Sequence, residues 1–298
     1  MPALSRAERE RRRGGLGASD AADVLDVGWG SPYTLWVDKV FGYDRPSTPA
    51  QERGHDLEPL IARKVAERHG LPELTPGGWR DHPVHPELFA NTDYENEHEA
   101  VIVECKASDD RWGPAEWGPD GDPEGLPIWI DFQVQHQLDA CPWAERAIVG
   151  ALFVDTWQLR TYEVKRDPDL AGQLIEAELR FWRDHVITRR PPPVTRGASA
   201  FDALRLIGTR PKSSTDLPWD AYDLIVDLVA ARDERLRLEK VEKSLKGEIG
   251  ALLGDSEHGY LGRDLAVSFI APDRGGARSL SIPNPYQKQI RKDTNHGN

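Results

Sequence analysis

The sequence predicts an α/β domain followed by a long C-terminal helix. Three observations carry this prediction. Segments with alternating apolar residues, at 78–108 and 147–164, indicate strands. Segments with apolar residues three and four apart indicate helices before, between and after them. A proline run at 191–193 then separates this region from an uninterrupted helical pattern over 219–253.

The composition limits the class of protein. The chain has 298 residues, 39% of them apolar and ten of them Trp, which suffices for one large domain or a domain with an appendage. It has no run of about 18 apolar residues, and the N-terminal MPALSRAERERRRGG lacks the apolar stretch of a secretory signal. Two cysteines, Cys105 and Cys141, suit a reduced cytoplasm and are too few for an iron–sulfur cluster. We therefore expect a cytoplasmic protein without membrane spans.

The charge balance neither requires nor excludes a nucleic-acid partner. A formal net charge of −12 does not favour a generally basic surface. A basic groove can still lie on an acidic protein, and carboxylates that bind a metal add to the negative total. The arginine-rich segment 6–13 is one such basic cluster, and a solvated helix explains it equally well.

A glycine-rich segment, GGLGASD at residues 14–20, predicts a turn into a helix with Ser19 as its N-cap. The backbone N–H groups at such a helix start can bind a phosphate, although a plain cap is the commoner use. The glycines fit neither a P-loop nor a strand–GxGxxG–helix unit, so no ATP dependence is expected.

Two amphipathic helices are predicted over residues 31–41 and 51–69. The first has Pro32 in its first turn. In the second, Glu58 lies beside the apolar stripe, and Pro59 marks either the first turn or a kink. The expected buried positions are Leu35, Trp36, Val40, Leu57, Leu60, Ile61 and Val65.

The predicted β region ends in the strand VIVECKAS, residues 101–108. Alternation places Glu104 and Lys106 on the same face of this strand. Taken alone, that face is the ordinary polar side of a half-buried strand. A polar turn at residues 95–99 precedes the strand, and a hairpin there would bring Asp93 beside Glu104.

Residues 109–127 then form a long loop rich in Pro, Gly and acids, which is typical of a lid or binding segment. A helix is predicted from residue 128 to 141, with Gln133 and Gln137 on a stripe next to its apolar face. The elements that follow are two strands over 147–164 and a helix over 169–188.

The proline run at 191–193 is the predicted domain boundary, and it opens a linker over residues 191–218. Residues 219–272 are predicted as an appendage, made of a long helix and a possible β-hairpin that turns at Gly262. Residues 273–298 are predicted to be a disordered tail. The long helix carries a seam with coiled-coil spacing at Leu238, Val241, Leu245, Ile249 and Leu252.

Residues from separate segments together have the chemistry of a magnesium site. Mg²⁺ prefers oxygen ligands, takes one or two carboxylates and keeps several waters. Asp93 and Glu104 can supply the carboxylates, and the backbone carbonyl of Cys105 can supply a third oxygen. Glu58 can hold a second metal or a metal-bound water. Lys106, about 7 Å along the strand from Glu104, can orient an attacking water or stabilise charge on a phosphate.

These residues resemble a known nuclease superfamily. Asp93 followed by Glu104-Cys105-Lys106 on a hairpin resembles the PD-(D/E)xK nucleases. Five blocks in order resemble the YqaJ-like viral recombinase family, to which phage lambda exonuclease belongs. The blocks are GLGASDAADVL, SPYTLWVDKVFG, RGHDLEPLIARK, VIVECKAS and FQVQHQLDA. The resemblance covers about residues 12–165.

The resemblance implies a mixed β-sheet flanked by helices and an exonuclease domain over residues 1–190. It implies Mg²⁺- or Mn²⁺-dependent hydrolysis of DNA phosphodiester bonds, commonly 5′ to 3′ from duplex ends. The implied partner is therefore double-stranded DNA with free ends. A single-strand annealing protein and a homo-oligomer are further partners that the resemblance leaves open.

The resemblance also implies roles for positions in this sequence. Asp93 and Glu104 would bind the metal, and Glu58 would be the family's helical acid. Lys106 would be the catalytic lysine. Gln133, the first Gln of QVQ, would be the active-site glutamine.

Two further residues would lie at the 5′-phosphate of the DNA. Ser19 in GASD would be near the phosphate, and Arg12, one of three adjoining arginines, would be the phosphate-binding arginine. The sequence departs from the family at one place, where Asp93 is followed by Tyr94 and the family usually has Gly. Because Tyr takes a left-handed turn less easily than Gly, the turn there must differ.

Other functions stay open from the sequence. The same fold can act as an endonuclease in repair or defence. It can also be a non-catalytic module that binds DNA ends or proteins. An acidic scaffold that self-associates through the long helix is a fourth interpretation.

Overall fold

The structure is a computed structural model, and it describes residues 5–42, 48–109, 117–195, 197–205, 207, 214–262, 264–271 and 277–283. The chain divides into two compact units, Met1–Arg210 and Pro211–Asn298. Among the described residues, no helix combines the length and the apolar character needed to cross a membrane.

Three helices of the first unit begin at a capping side chain that proline follows. Ser31, Thr48 and Asp167 each accept a hydrogen bond from a backbone N–H of the first turn, and a proline follows each of them. The predicted helices are confirmed to within a few residues, and the one predicted over 169–188 is an α-helix to Phe181 that continues as a π-helix, Trp182–Ile187. The helices of this unit are α1 (Arg6–Arg13), α2 (Ala21–Val24), α3 (Pro32–Phe41), α4 (Pro49–His69), α5 (Ile128–Ala140), α6 (Pro168–Phe181) and α7 (Gly197–Leu204).

The strands of the first unit form two sheets. They are β1 (Leu16–Gly17), β2 (Thr75–Pro76), β3 (Trp79–Asp81), β4 (Leu88–Asn91), β5 (Tyr94–Asn96), β6 (Val101–Ser108), β7 (Arg146–Phe153) and β8 (Gln158–Lys165). The smaller sheet has the order β1-β4-β3 and the larger sheet β2-β5-β6-β7-β8. In the larger sheet β6 is antiparallel to β5 and parallel to β7, so the sheet is mixed. Helix α5 lies in the crossover that the parallel pair requires.

Strand β6 is the central strand of the larger sheet and is covered on both faces. Helix α4 packs Ile61 into the cluster that contains Val103. Helix α5 packs Val134 into the cluster that contains Ile102, on the opposite face. On that second face Glu104 is only 3% exposed. The interpretation of Glu104 as part of an ordinary polar face in water is therefore wrong.

Two local predictions about helix starts differ from the structure. Ser19 is not an N-cap, because it lies exposed inside a 3₁₀ turn, Ala18–Asp20. There the Asp20 carboxylate accepts a hydrogen bond from the Gly17 N–H at 2.9 Å, and the helix that follows has no side-chain cap. Pro59 lies well inside α4, so its placement in a first turn is wrong.

The predicted linker over 191–218 contains a helix that belongs to the first unit. Helix α7 buries Ala200 and Ala203 in a cluster that includes Trp36 and Phe181. The first unit therefore continues past the proline run, because small apolar side chains beyond the run still reach its core.

Part of the predicted loop over 109–127 is anchored to the larger sheet. The Asp120 carboxylate accepts hydrogen bonds from the Thr161 N–H at 2.7 Å and from Arg68 Nη1 at 3.0 Å. Residues 110–116 of the predicted lid lie outside the described residues.

In its described residues, the second unit contains a long helix and a three-stranded antiparallel sheet. Its elements are α8 (Ala221–Leu253), β9 (His258–Leu261), β10 (Asp264–Ile270) and β11 (Ser279–Ser281), with the sheet order β11-β10-β9. Strands β9 and β10 form the predicted hairpin, and Gly262 in its turn has φ +68°.

Two other predictions for this unit have different outcomes. The disordered-tail prediction is wrong for Ser279–Ser281, which pairs with β10, while residues 284–298 lie outside the described residues. The seam on α8 is exposed, since Val241 is 44% and Leu252 88% accessible. Its coiled-coil role stays a prediction.

Candidate active site

The antiparallel pairing of β5 and β6 brings the two predicted acids together. Tyr94 is opposite Val103 in the register, so Asp93 lies opposite Glu104 one step further along. The Cys105 N–H donates to Asp93 Oδ2 at 2.8 Å and fixes that carboxylate on the strand. The predicted hairpin is confirmed, and Tyr94 begins an extended strand, so the turn does differ at that position.

Glu104 is a buried carboxylate that three side chains hold in place. Lys106 Nζ is 2.6 Å from Glu104 Oε1, and Gln133 Nε2 donates to the same oxygen at 2.7 Å. Gln137 Nε2 donates to the other oxygen, Oε2, at 2.6 Å. Lys106 Nζ also donates to Gln133 Oε1 at 3.1 Å, so the side chains form one connected network.

Gln137 is a site residue that the sequence analysis did not assign. It lies one helical turn after Gln133 on α5, and both therefore face β6. The sequence had placed the two glutamines on one stripe of this helix, and that spacing was the available signal. The spacing alone does not show which strand the stripe faces, and the contact with Glu104 comes from the structure.

Burial and mutual repulsion dominate the electrostatics of the two acids. Burial first, and then the charge of Glu104, raise the pKa of Asp93 well above its ordinary value. Burial alone would lower the pKa of Lys106, but the Glu104 and Asp93 carboxylates outweigh it and leave that pKa raised. The Lys106 side chain is 28% exposed, so the network is open to solvent on this side.

The donor set fits a divalent cation that prefers oxygen. Two carboxylates lie on adjacent strands beside the Cys105 backbone, and burial followed by the charge of Glu104 raises the pKa of Asp93. Glu58 is near enough to add to that effect, and its carboxylate contacts His55 Nδ1 at 2.7 Å. Within the described residues, no three His, Cys, Asp or Glu side chains are grouped to enclose a metal ion. The fit therefore rests on two side chains with backbone and water oxygens.

Lys39 connects the two residues predicted at the DNA 5′-phosphate. Its Nζ donates to the Arg12 carbonyl at 2.7 Å and to the carboxylate of Asp20, next to Ser19, at 2.6 Å. The side chains of Arg12 and Ser19 are both exposed. The structure thus brings these segments together, and the 3₁₀ turn that carries Ser19 packs through Ala18 against the C-terminal end of α5.

Comparisons with known proteins agree with this architecture. Residues 9–141 match the model of the YqaJ-like viral recombinase domain. The uncharacterized protein YqaJ of Bacillus subtilis (strain 168) is 26% identical over 291 residues, which are 95% of this chain and 89% of the relative.

Two solved structures are similar to part of this chain. The alkaline exonuclease LHK-Exo from Laribacter hongkongensis has a TM-score of 0.50 at 18% identity, with 68% of this chain and 100% of that chain covered. A phage-related exonuclease from Haemophilus somnus 129PT has a TM-score of 0.45 at 12% identity, with 59% of this chain and 96% of that chain covered.

The mixed sheet with a helix on each face has the PD-(D/E)xK-type fold that LHK-Exo also has. The fold class predicted from the sequence is confirmed. Residues 9–141 match the YqaJ-like viral recombinase domain, in agreement with the resemblance that the five sequence blocks had indicated.

Proposed function

We propose that this protein is a metal-dependent DNA exonuclease of a phage-type recombination system, which degrades linear duplex DNA from its ends in the 5′ to 3′ direction. One observation carries the proposal: Glu104 lies opposite Asp93 and is held by Lys106 and Gln133. The YqaJ-like domain and the exonucleases among the structural relatives support a nuclease of this kind.

The carboxylates of Asp93 and Glu104, with the Cys105 carbonyl, are the groups that would hold Mg²⁺ or Mn²⁺. Glu58 would hold a metal-bound water from the side of α4. When bound, the ion supplies a water of lowered pKa and neutralises charge on the phosphate. The Cys105 N–H keeps Asp93 oriented, and Gln133 and Gln137 keep Glu104 oriented.

Lys106 would act on the phosphate or on the attacking water. Its ammonium group shares hydrogen bonds with Glu104 and Gln133 and is partly exposed to solvent. It can donate a hydrogen bond to a phosphate oxygen as negative charge grows there, or orient the water that attacks. Gln133, which contacts both Lys106 and Glu104, would keep the two side chains at a fixed separation.

Arg12 and Ser19 would bind the 5′-phosphate of the strand that is digested. The Arg11 guanidinium pairs with Asp81, and Arg13 donates to the Gly42 carbonyl, whereas the exposed Arg12 side chain extends from the last turn of α1. That difference supports Arg12 among the three adjoining arginines.

The test uses linear duplex DNA with a 5′-phosphate, labelled separately on each strand, with a supercoiled plasmid as second substrate. With Mg²⁺ the wild-type protein should shorten the linear DNA from its 5′ ends and leave the circle intact, and EDTA should stop it. Glu104→Gln and Lys106→Met should each lower the rate by at least about 100-fold, because each removes a charge that acts in the transition state.

The matched control is Glu97→Gln, at an exposed position in the turn of the same hairpin, which should keep the wild-type rate. Thermal unfolding of all variants separates lost chemistry from lost fold. Cleavage of the circular plasmid would show that the protein is an endonuclease instead. Binding of DNA ends without Mg²⁺-dependent turnover would establish the non-catalytic module instead.

A further inference from the structure

Trp29 is the most exposed large apolar side chain among the described residues of the first unit, with 79% of its surface accessible. Exposed apolar area on this scale is unfavourable in water, and where it is retained it commonly serves binding. The predicted nuclease roles of the other residues do not account for it.

The backbone on both sides of Trp29 is fixed. Gly30 N–H donates to the Asp23 carboxylate at 2.8 Å. A Cβ on either Gly28 or Gly30 would collide with that same carboxylate, so this tight loop requires both glycines. The loop is therefore wrapped around Asp23 and holds the Trp29 indole out in solvent.

A second indole makes Trp29 part of a pair beside the candidate active site. Trp129 meets Trp29 edge to face, with ring centroids 6.1 Å apart and an interplanar angle of 68°. Trp129 packs against the core cluster on the α5 side of the larger sheet and is thereby anchored. It precedes Gln133 by one turn of α5, about 6 Å, and Gln133 contacts Glu104.

We propose that Trp29 and Trp129 form a stacking site for the terminal base of the DNA strand being digested. The proposal rests on the nuclease function proposed above. A terminal nucleotide that approaches Glu104 must leave its neighbour in the duplex, and an aromatic face replaces that lost stacking for any base. The carboxylate of Asp23, which the loop encloses, makes this a poor position for a phosphate, so the site suits a neutral base.

The experiment measures stacking directly. A blunt duplex carries 2-aminopurine as the 5′-terminal base, and binding is followed in Ca²⁺, with the DNA checked for integrity on a gel. Wild-type protein should quench the fluorescence, and Trp29→Ala should lose most of the quenching. The same variant should bind DNA ends roughly tenfold more weakly, the effect expected when one stacked base loses its aromatic partner. A probe at the centre of the duplex should report no quenching.

Trp219→Ala is the matched control, since Trp219 is 93% exposed and lies in the second unit. It should keep the wild-type quenching, and both variants should unfold at the wild-type temperature because both side chains are exposed. Unchanged quenching with Trp29→Ala overturns the stacking site, even where the wild-type protein cuts linear DNA. Loss of quenching with Trp29→Ala upholds the site, even where the wild-type protein fails to cut and the nuclease proposal falls.

Discussion

Glu104 is a carboxylate that is almost excluded from water, and a buried charge of this kind is unstable unless donors surround it. One oxygen accepts from Lys106 and Gln133, and the other accepts from Gln137. Removal of one donor from such a site leaves the charge uncompensated, which costs more than the hydrogen bond itself contributes. The position of the carboxylate therefore depends on each of the three.

We predict that Gln137→Met weakens metal binding, so that cleavage requires a higher Mg²⁺ concentration. Methionine has a similar length but donates nothing to Glu104 Oε2, so the carboxylate is no longer held from that side. Loss of a group that orients a metal ligand typically costs about 10- to 100-fold in metal affinity or activity. The measurement is the cleavage rate at saturating DNA across a Mg²⁺ titration, with Mn²⁺ binding followed by calorimetry.

Gln135→Met is the control for this prediction. Gln135 is also buried on α5, but it pairs with the Lys165 carbonyl and the Asp167 N–H. Its substitution should lower the free energy of unfolding without changing the Mg²⁺ midpoint. Equal Mg²⁺ midpoints and equal Mn²⁺ affinities for Gln137→Met and the wild-type protein would refute the positioning role.

At the scale of single residues, the local sequence pattern predicts part of the site. Alternation along VIVECKAS pairs Glu104 with Lys106, and the turn before it aligns Asp93, because strand geometry is regular. The contacts of Gln137 and the exposure of Trp29 could not be predicted in this way. Both depend on which helix faces which strand, and that is set by contacts between residues distant in sequence.

The element that positions the site is the three-layer arrangement of α4, the larger sheet and α5. Gly150 on β7, which pairs with Cys105 on β6, allows α4 to approach closely. A Cβ at Gly150 would lie 2.5 Å from Val65 Cγ2 and 2.9 Å from Ile61 Cγ2. Both side chains are β-branched and stiff, so they move little to make room.

Gly150→Ala should therefore lower the free energy of unfolding by about 1–3 kcal/mol, the usual cost of an overpacked core. Adding Val65→Ala should recover part of that loss, since the two changes share one space. Gly172→Ala in α6 is the control, because nothing lies within 4 Å of a Cβ there and helix propensity favours the change. Urea unfolding measures all four proteins. Similar values for Gly150→Ala and Gly172→Ala would contradict the close approach.

The predicted and observed elements differ where a tertiary contact replaces a local signal. The proline run at 191–193 is a strong local stop, yet α7 beyond it returns to the first unit. Ser19 has the residue type of an N-cap, but it lies inside a 3₁₀ turn that the Asp20 carboxylate closes by accepting from the Gly17 N–H. Strand β11 was not predicted, because three residues are too short to show an alternating pattern. It forms as a strand through its pairing with β10.

At the scale of the first unit, a buried ion pair connects α5, α6 and β4. His136 on α5 and Glu178 on α6 are both fully buried, with His136 Nδ1 2.9 Å from Glu178 Oε1. The other ring nitrogen, Nε2, lies 2.9 Å from the Phe89 carbonyl on β4. With an acceptor at each nitrogen, the ring is held as a doubly protonated imidazolium.

This pair predicts how stability depends on pH. Burial alone would lower the pKa of His136, but the charge and hydrogen bonds of Glu178 and the Phe89 carbonyl outweigh burial and raise it. A raised pKa in the folded state means that the stabilisation is complete below the unfolded value, about 6.5, and is lost as pH rises through the folded value. Over that interval the free energy of unfolding should fall by up to about 1.4 kcal/mol per pH unit.

The measurement is urea unfolding from pH 6 upwards, in the wild-type protein and in the double variant His136→Gln with Glu178→Gln. The double variant removes both charges together, because a single change would leave the other charge buried and unpaired. Its profile should lack the part of the alkaline decline that this pair contributes. His98→Gln, at an exposed position in the β5–β6 turn, should keep the wild-type slope. If the double variant declines as steeply as the wild-type protein, the alkaline loss of stability originates elsewhere in the first unit, and the imidazolium assignment is wrong.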